Sequence, residues 1–167
     1  MTGVQTCALP ILVKFHGAGR RFELKGSVGG VRVIDDYGHH PTEIAVTLAA
    51  AKRYCGGGKV IVIFQPHRYS RTKAFTKQFA QALSVADSLW LLEVYAASET
   101  PISGVSSSNI AKLIPHAHFE PNFLAVTEAV AAIASPGDVI MTLGAGDVSA
   151  LGPLIIEELQ KRFESGN

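Results

Sequence analysis

The sequence predicts a three-layer α/β domain whose sheet is mostly parallel and opens with a β-hairpin. Two observations carry this prediction. Short apolar, β-rich runs alternate with longer stretches of helical period. Three of those runs, Lys59–Phe64 (KVIVIF), Asp87–Glu93 (DSLWLLE) and Asp138–Leu143 (DVIMTL), have the continuous apolar character of strands buried on both faces of a parallel sheet.

Arg21–Lys25 and Val28–Ile34 flank Gly26, Gly29 and Gly30 and read as the hairpin. Pro41–Tyr54 has a helical face of Ile44, Val46, Leu48, Ala49 and Ala51, with Pro41 suited to a first turn and Gly56-Gly57-Gly58 as the stop. Strand Lys59–Phe64 leads through a polar loop, Gln65–Arg71, to a second helix at about Lys73–Ser84. Strand Asp87–Glu93 is followed by a long loop, Val94–Val105, and a short helix, about Ser107–Ile114, capped by the serine run. His116–Phe119 reads as a short strand, and Asn122–Ala134 as a helix ending before Pro136-Gly137. Strand Asp138–Leu143, the loop Gly144-Ala145-Gly146-Asp147 and a helix to about Phe163 complete the chain.

The 167 residues suit one domain with a substantial core. A net charge of +1 provides no broad basic field, so nucleic acid is not the expected partner and any anion site must be local. No apolar run approaches the roughly 18 residues needed to span a membrane. Cys7 and Cys55 form neither a disulfide framework nor a zinc motif, which fits a reduced, cytoplasmic setting. Met1–Ile11 lacks the charged and apolar regions of a signal peptide and has no clear period. Residues 1–14 are therefore expected to be a non-native or disordered leader to a domain over 15–167, an ordinary ragged terminus being the alternative.

The polar clusters Asp35–His40, Gln65–Arg71, Val94–Glu99 and Gly144–Asp147 each follow a buried strand. In a parallel α/β sheet that edge is where ligands bind. Solvated loops favour Lys, Glu, Ser and Gly, whereas these carry Tyr37, His39, His40, His67, Arg68, Tyr69, Arg71 and Tyr95, groups suited to directional recognition. Arg68 and Arg71, three apart before a helix, form a carboxylate or phosphate clamp or else a pair of surface arginines. Adjacent Asp35 and Asp36 face opposite ways on a strand, so one can face a ligand while the other holds the loop. His39 and His40 with Glu43 match no zinc pattern, so hydrogen-bonding roles are favoured and no metal is expected. The glycines of Gly144–Asp147 favour tight strand-to-helix packing over phosphate binding. Arg20 and Arg21 follow a glycine-rich hinge and could reach a phosphate. No Walker loop, GxSxG or protein-kinase set occurs, so recognition groups are present without a nucleotide cradle.

The segments GRRFE, DDYGHHPTE, FQPHRYSRT, EVYAASE and LGAGDV, in that order, resemble the C-terminal domain of the Mur ligases, on their alanine-adding branch. The resemblance runs from about Phe15 to the C-terminus. It implies a Rossmann-like domain of a three-domain, ATP- and Mg2+-dependent acid–amino-acid ligase of peptidoglycan synthesis. In that family the N-terminal domain holds the UDP-sugar and the central domain carries the P-loop. ATP phosphorylates the carboxylate of UDP-N-acetylmuramate, and L-alanine then attacks the acyl phosphate. The C-terminal domain closes over the site and delivers the amino acid, aligning the amine and excluding water.

By motif position the resemblance places Arg21 at the transferring phosphate and Asp36 at the ATP ribose. It gives catalytic roles to Arg21, His39 and His67, and the L-alanine and reacting-carboxylate region to Tyr37, Arg68, Arg71, Tyr95 and Glu99, with one arginine holding the alanine carboxylate. Ser98 stands where the family usually has glycine. A fragment of this kind is expected to be inactive alone. A free-standing Rossmann-like binding module without catalysis is the alternative.

Overall fold

The computed structural model describes residues 19–164, so the expected leader over residues 1–14 lies outside the described residues. A six-stranded sheet runs in the order β1-β2-β6-β3-β4-β5: β1 is Glu23–Val28, β2 Val31–Asp36, β3 Val60–Phe64, β4 Ser88–Leu91, β5 Ala117–Phe119 and β6 Val139–Leu143. Only β1 is antiparallel to its neighbour. The helices are α1 (Pro41–Cys55), α2 (Tyr69–Leu83), α3 (Ser108–Ala111), α4 (Phe123–Ile133) and α5 (Leu151–Glu164). No described helix is long and apolar enough to cross a membrane.

The apolar runs are buried on both sides, as parallel strands require. Side chains of β3 alternate: Val60, Val62 and Phe64 join a core with Ile44, Leu48, Phe79 and Leu83, and Ile61 and Ile63 join one with Val126, Val130, Ile155 and Leu159. The sheet is thus covered by α1, α2 and α3 on one face and by α4 and α5 on the other.

The hairpin forms with corrected bounds. Its turn is Gly29-Gly30, both at positive φ (56° and 79°), as a two-residue turn matched to strand twist demands. Gly26 lies inside β1, where the register shifts and a Cβ would come within 2.7 Å of Ile156.

The largest boundary error is at α2, which starts at Tyr69 rather than Lys73. The Arg68 carbonyl already accepts the Thr72 amide (3.0 Å) and hydroxyl (2.8 Å), so Tyr69, Ser70 and Arg71 form a helical turn. That turn is polar and carries no apolar period.

Asp87 and Asp138 precede their strands instead of starting them. Asp87 accepts the Val60 amide (2.6 Å), and Asp138 accepts the Lys59 (2.7 Å) and Ser135 (2.8 Å) amides. Both therefore tie the amino edge of the sheet. The serine run caps less than expected: α3 spans only Ser108–Ala111, and Ser107 gives no side-chain cap. A 3-10 turn, Asp147–Ala150, precedes α5.

The amino edge is also the tightest backbone contact. A Cβ on Gly58 would sit 2.6 Å from the Gly137 carbonyl carbon and closer still to its oxygen. Gly58→Ala is expected to lower stability by about 2 kcal/mol, because backbone must move to admit it. The urea midpoint measures the loss.

Candidate functional site

The carboxyl edge of the sheet collects the ring side chains singled out by the sequence. Tyr37 follows β2 and lies edge-on to His39, with centroids 5.2 Å apart. His39 meets His67, which follows β3, at 5.8 Å. His67 stacks on Tyr95, which follows β4, at 5.6 Å and 13°. Backbone pairing brings the two residues side by side: the Arg68 amide donates to the Tyr95 carbonyl (2.8 Å) and the Tyr95 amide to the Pro66 carbonyl (2.9 Å).

Arg20 closes this row into a ring. Its guanidinium lies 5.1 Å over Tyr37, its Nε donates to Asp35 (2.8 Å), and its Nη atoms donate to the carbonyls of Gly144 and Gly146. Gly146 in turn packs under Tyr95, whose Cγ would be 2.7 Å from an added Cβ. Gly144–Asp147 is accordingly a packing loop, held also by Gln65, which accepts the Val148 amide at 3.1 Å. Arg20, expected to reach a phosphate, is instead held by Asp35, Gly144 and Gly146, and Gln65 and Ser70 were missed as site-building residues. The signal for Gln65 was its place directly after a buried strand.

The two arginines before β1 separate in role. Arg20 is committed to the scaffold. Arg21 is exposed, has its Cζ 5.6 Å from the Tyr37 centroid, and makes no hydrogen bond or ion pair among the described residues. The two aspartates do not divide the work as the alternation suggested, for both are buried and both hold structure. Asp35 binds Arg20 and accepts the Thr142 hydroxyl (2.7 Å). Asp36 accepts the Phe22 and Gly38 amides, each at 2.8 Å, and the Thr47 hydroxyl at 3.3 Å. A ribose hydroxyl would have to share a carboxylate with those three donors.

His40 is the N-cap of α1: it accepts the Thr42 amide (3.3 Å), while Glu43 accepts the amides of His39 (3.0 Å) and His40 (3.1 Å). Burial opposes the charge on Glu43, but the two amides outweigh it and hold its carboxyl below the usual range. Glu99 caps α2 from 29 residues away, accepting the Ser70 amide (2.9 Å) and hydroxyl (2.6 Å), which hold its carboxyl below the usual range. Ala97 and Ser98, just before it, have φ of 50° and 70°. This is the left-handed region in which glycine is most at ease, and it accounts for the glycine expected at position 98.

Arg71 and His67 remain incompletely partnered. Arg71 Nη1 and His67 Nδ1 are buried and have no hydrogen-bond partner among the described residues, as is true of Trp90 Nε1, Ser107 Oγ and His116 Nε2 away from this edge. Orphaned buried polar atoms are rare in folded proteins, and the first two sit beside the ring row at the head of α2. Arg68, the exposed N-cap at φ 73°, flanks them. The two guanidiniums of this cluster suit a small carboxylate. By contrast, a groove of about 610 Å³ between α1 and α2, lined by Ala45, Ala49, Gln78 and Val85, holds none of these groups. Among the described residues no three His, Cys, Asp or Glu side chains converge to hold a metal ion.

Burial, then the nearby charges of His39, Arg71 and Arg68, push the His67 imidazole below its ordinary value. The unfolded chain therefore takes up this proton first as pH falls. The contribution is fully present above about pH 6.5 and declines as pH drops below it, until the folded state protonates as well. Urea midpoints measured from pH 7.5 to 5 are expected to fall, with a shallower slope in His67→Gln.

Known proteins share both sequence and fold with this chain. The Mur ligase, glutamate ligase domain, matches residues 20–146. A UDP-N-acetylmuramate–L-alanine ligase of Mycolicibacterium paratuberculosis is 51% identical over 93% of this chain and 33% of its own length. The crystal structure of a UDP-N-acetylmuramate–alanine ligase from Thermotoga maritima is similar at a TM-score of 0.71 and 29% identity, over 95% of this chain and 33% of that one. A MurF ligase from the same organism, in complex with ADP, shares the fold at a TM-score of 0.66 and 19% identity, over 90% of this chain and 34% of that one. The chain thus spans about a third of the length of these relatives. Matched over most of its length by one domain family, and carrying its motifs on the carboxyl edge of the sheet, the chain belongs to the Mur ligase family.

Proposed function

We propose that residues 15–167 are the amino-acid-delivering, C-terminal domain of an ATP-dependent ligase that adds L-alanine to UDP-N-acetylmuramate. The setting is cytoplasmic peptidoglycan synthesis, and so cell-wall growth, cell shape and division. The observation that carries this reading is the buried guanidinium nitrogen of Arg71, without a hydrogen-bond partner among the described residues, beside the equally unpartnered Nδ1 of His67. The guanidinium suits the carboxylate of a small amino acid and comes without a phosphate cradle of its own.

In this reaction ATP transfers its γ-phosphoryl group to the muramoyl carboxylate, leaving ADP and an acyl phosphate. The alanine nitrogen attacks the acyl carbon, the C–O bond to phosphate breaks, and the amine loses a proton. The guanidinium of Arg71 holds the alanine carboxylate, His67 and Tyr95 wall the amino acid, and Tyr37 and His39 border the reacting carboxylate. Arg21 faces the transferring phosphate at the mouth of the site. ATP and Mg2+ in the complete enzyme are held mainly by the central domain, where the resemblance puts the P-loop.

The test is a chimera in which residues 15–167 replace the corresponding third of the Mycolicibacterium paratuberculosis ligase. Alanine-dependent phosphate release from ATP and UDP-N-acetylmuramate is expected from the chimera and not from this chain alone. A folded chimera that binds ATP and the UDP-sugar but forms no amide would favour the free-standing binding module.

A further inference from the structure

We propose that Glu99 is a positioning residue, which fixes Tyr95 against His67 by anchoring the loop after β4 to the first turn of α2, a role that rests on the ligase reading above. The residue at the α2 N-cap, Arg68, supplies no side-chain cap. The capping carboxylate comes instead from Glu99, through the Ser70 amide at 2.9 Å and the Ser70 hydroxyl at 2.6 Å. Both carboxylate oxygens are engaged there, and they face a helix end rather than the space between the rings.

The anchor restrains a loop that would otherwise relax. Ala97 and Ser98 occupy successive left-handed conformations without being glycine. The turn is closed by the Glu99 amide on the Ala96 carbonyl at 3.0 Å. Four residues before Glu99, Tyr95 lies face to face with His67 at 5.6 Å and rests on Gly146. Ser70, one residue before Arg71, carries the anchor. One helical turn therefore holds the loop and also presents the unpartnered Arg71 Nη1. The Tyr95 backbone is paired with Pro66 and Arg68 whatever Glu99 does; releasing Glu99 frees residues 96–99, and with them the angle at which the Tyr95 side chain meets the imidazole.

This role differs from direct contact with the amino group of the substrate, the other role open to a carboxylate here. The two are separated by Glu99→Gln, which retains an oxygen acceptor for Ser70 and loses the charge. In this chain, NMR of the His67 ring protons reads the stack through the Tyr95 ring current, and the distant His116 and His118 report on the fold. Glu99→Ala is expected to remove the upfield shift at His67 alone, and Glu99→Gln to retain most of it. Unchanged His67 shifts in a folded Glu99→Ala overturn the proposal. If that variant does not fold, Ser70→Ala, which removes only the hydroxyl bond, is expected to weaken the shift, and no change again overturns it.

In the chimera, Glu99→Ala is expected to raise the KM for L-alanine about tenfold, with the KM for ATP unchanged and kcat within about threefold. Glu99→Gln is expected to recover most of that rise. Equal damage from Gln and Ala would instead make Glu99 a ligand for the substrate ammonium. If the unsubstituted chimera adds no alanine, the ligase reading fails while the NMR result still decides whether Glu99 orders Tyr95 and His67.

Discussion

Arg71→Ala in the chimera is expected to reduce kcat/KM for L-alanine by about 10²-fold or more, corresponding to about 3 kcal/mol of lost transition-state binding. Arg71 is distinguished from Arg68 by burial. Arg68 is exposed, whereas one Arg71 nitrogen is buried without a partner among the described residues, so an acceptor brought by a ligand completes its hydrogen bonding. A planar guanidinium can grip both carboxylate oxygens, so Arg71→Lys is expected to recover little. Arg68→Ala is expected to be several-fold milder. Steady-state rates at varied L-alanine decide the matter, and unchanged kinetics in Arg71→Ala would remove it from the carboxylate site.

Asp36→Ala is expected to destabilise the fold by about 3 kcal/mol, the largest stability loss anticipated for a single polar side chain here. The carboxylate satisfies the Phe22 amide, the Gly38 amide and the Thr47 hydroxyl. Hydrogen bonds to a charged acceptor contribute about 1.5 kcal/mol or more each, and water replaces them poorly at a side chain only 5% exposed. Asp36→Asn retains one acceptor oxygen and is expected to lose about half as much. Urea unfolding gives both values, and a loss below 1 kcal/mol in Asp36→Ala would mean that the loop has other support.

The fold was legible because burial leaves a plain record. Val60–Phe64 and Val139–Leu143 are apolar at every position apart from Thr142, and only a strand covered on both faces tolerates that pattern. The start of α2 was not legible, because Tyr69–Arg71 form a polar first turn capped by a residue 29 positions away. The rings of the site were legible by type and place, since Tyr37, His39, His67 and Tyr95 each follow a strand. Their neighbours' duties were not. Arg20 and Arg21 are identical in type and adjacent, yet one is sequestered by Asp35 and two carbonyls while the other is exposed. Asp35 and Asp36 alternate across the strand as expected, but donors wait on both sides, so neither is left facing open space. Some of these contacts cross the β1 hairpin over 14 or 15 positions and others reach Gly144, Gly146 and Thr142 more than 100 positions away, and no local pattern encodes either kind.

The antiparallel course of β1 determines where anything joined to this domain must hang. Because β1 runs against the parallel strands, Glu23 pairs with Asp35 at the carboxyl edge, and Arg20 is clamped to Asp35, Gly144 and Gly146 a few residues earlier. A domain fused ahead of Gly19 is therefore tethered beside the Tyr37–Tyr95 rim and not at the far side of the sheet. A short tether at that point would hold its cargo at an effective concentration on the order of millimolar, so that docking would need little affinity of its own. The clamp at Arg20 fixes the root of any such tether at that rim.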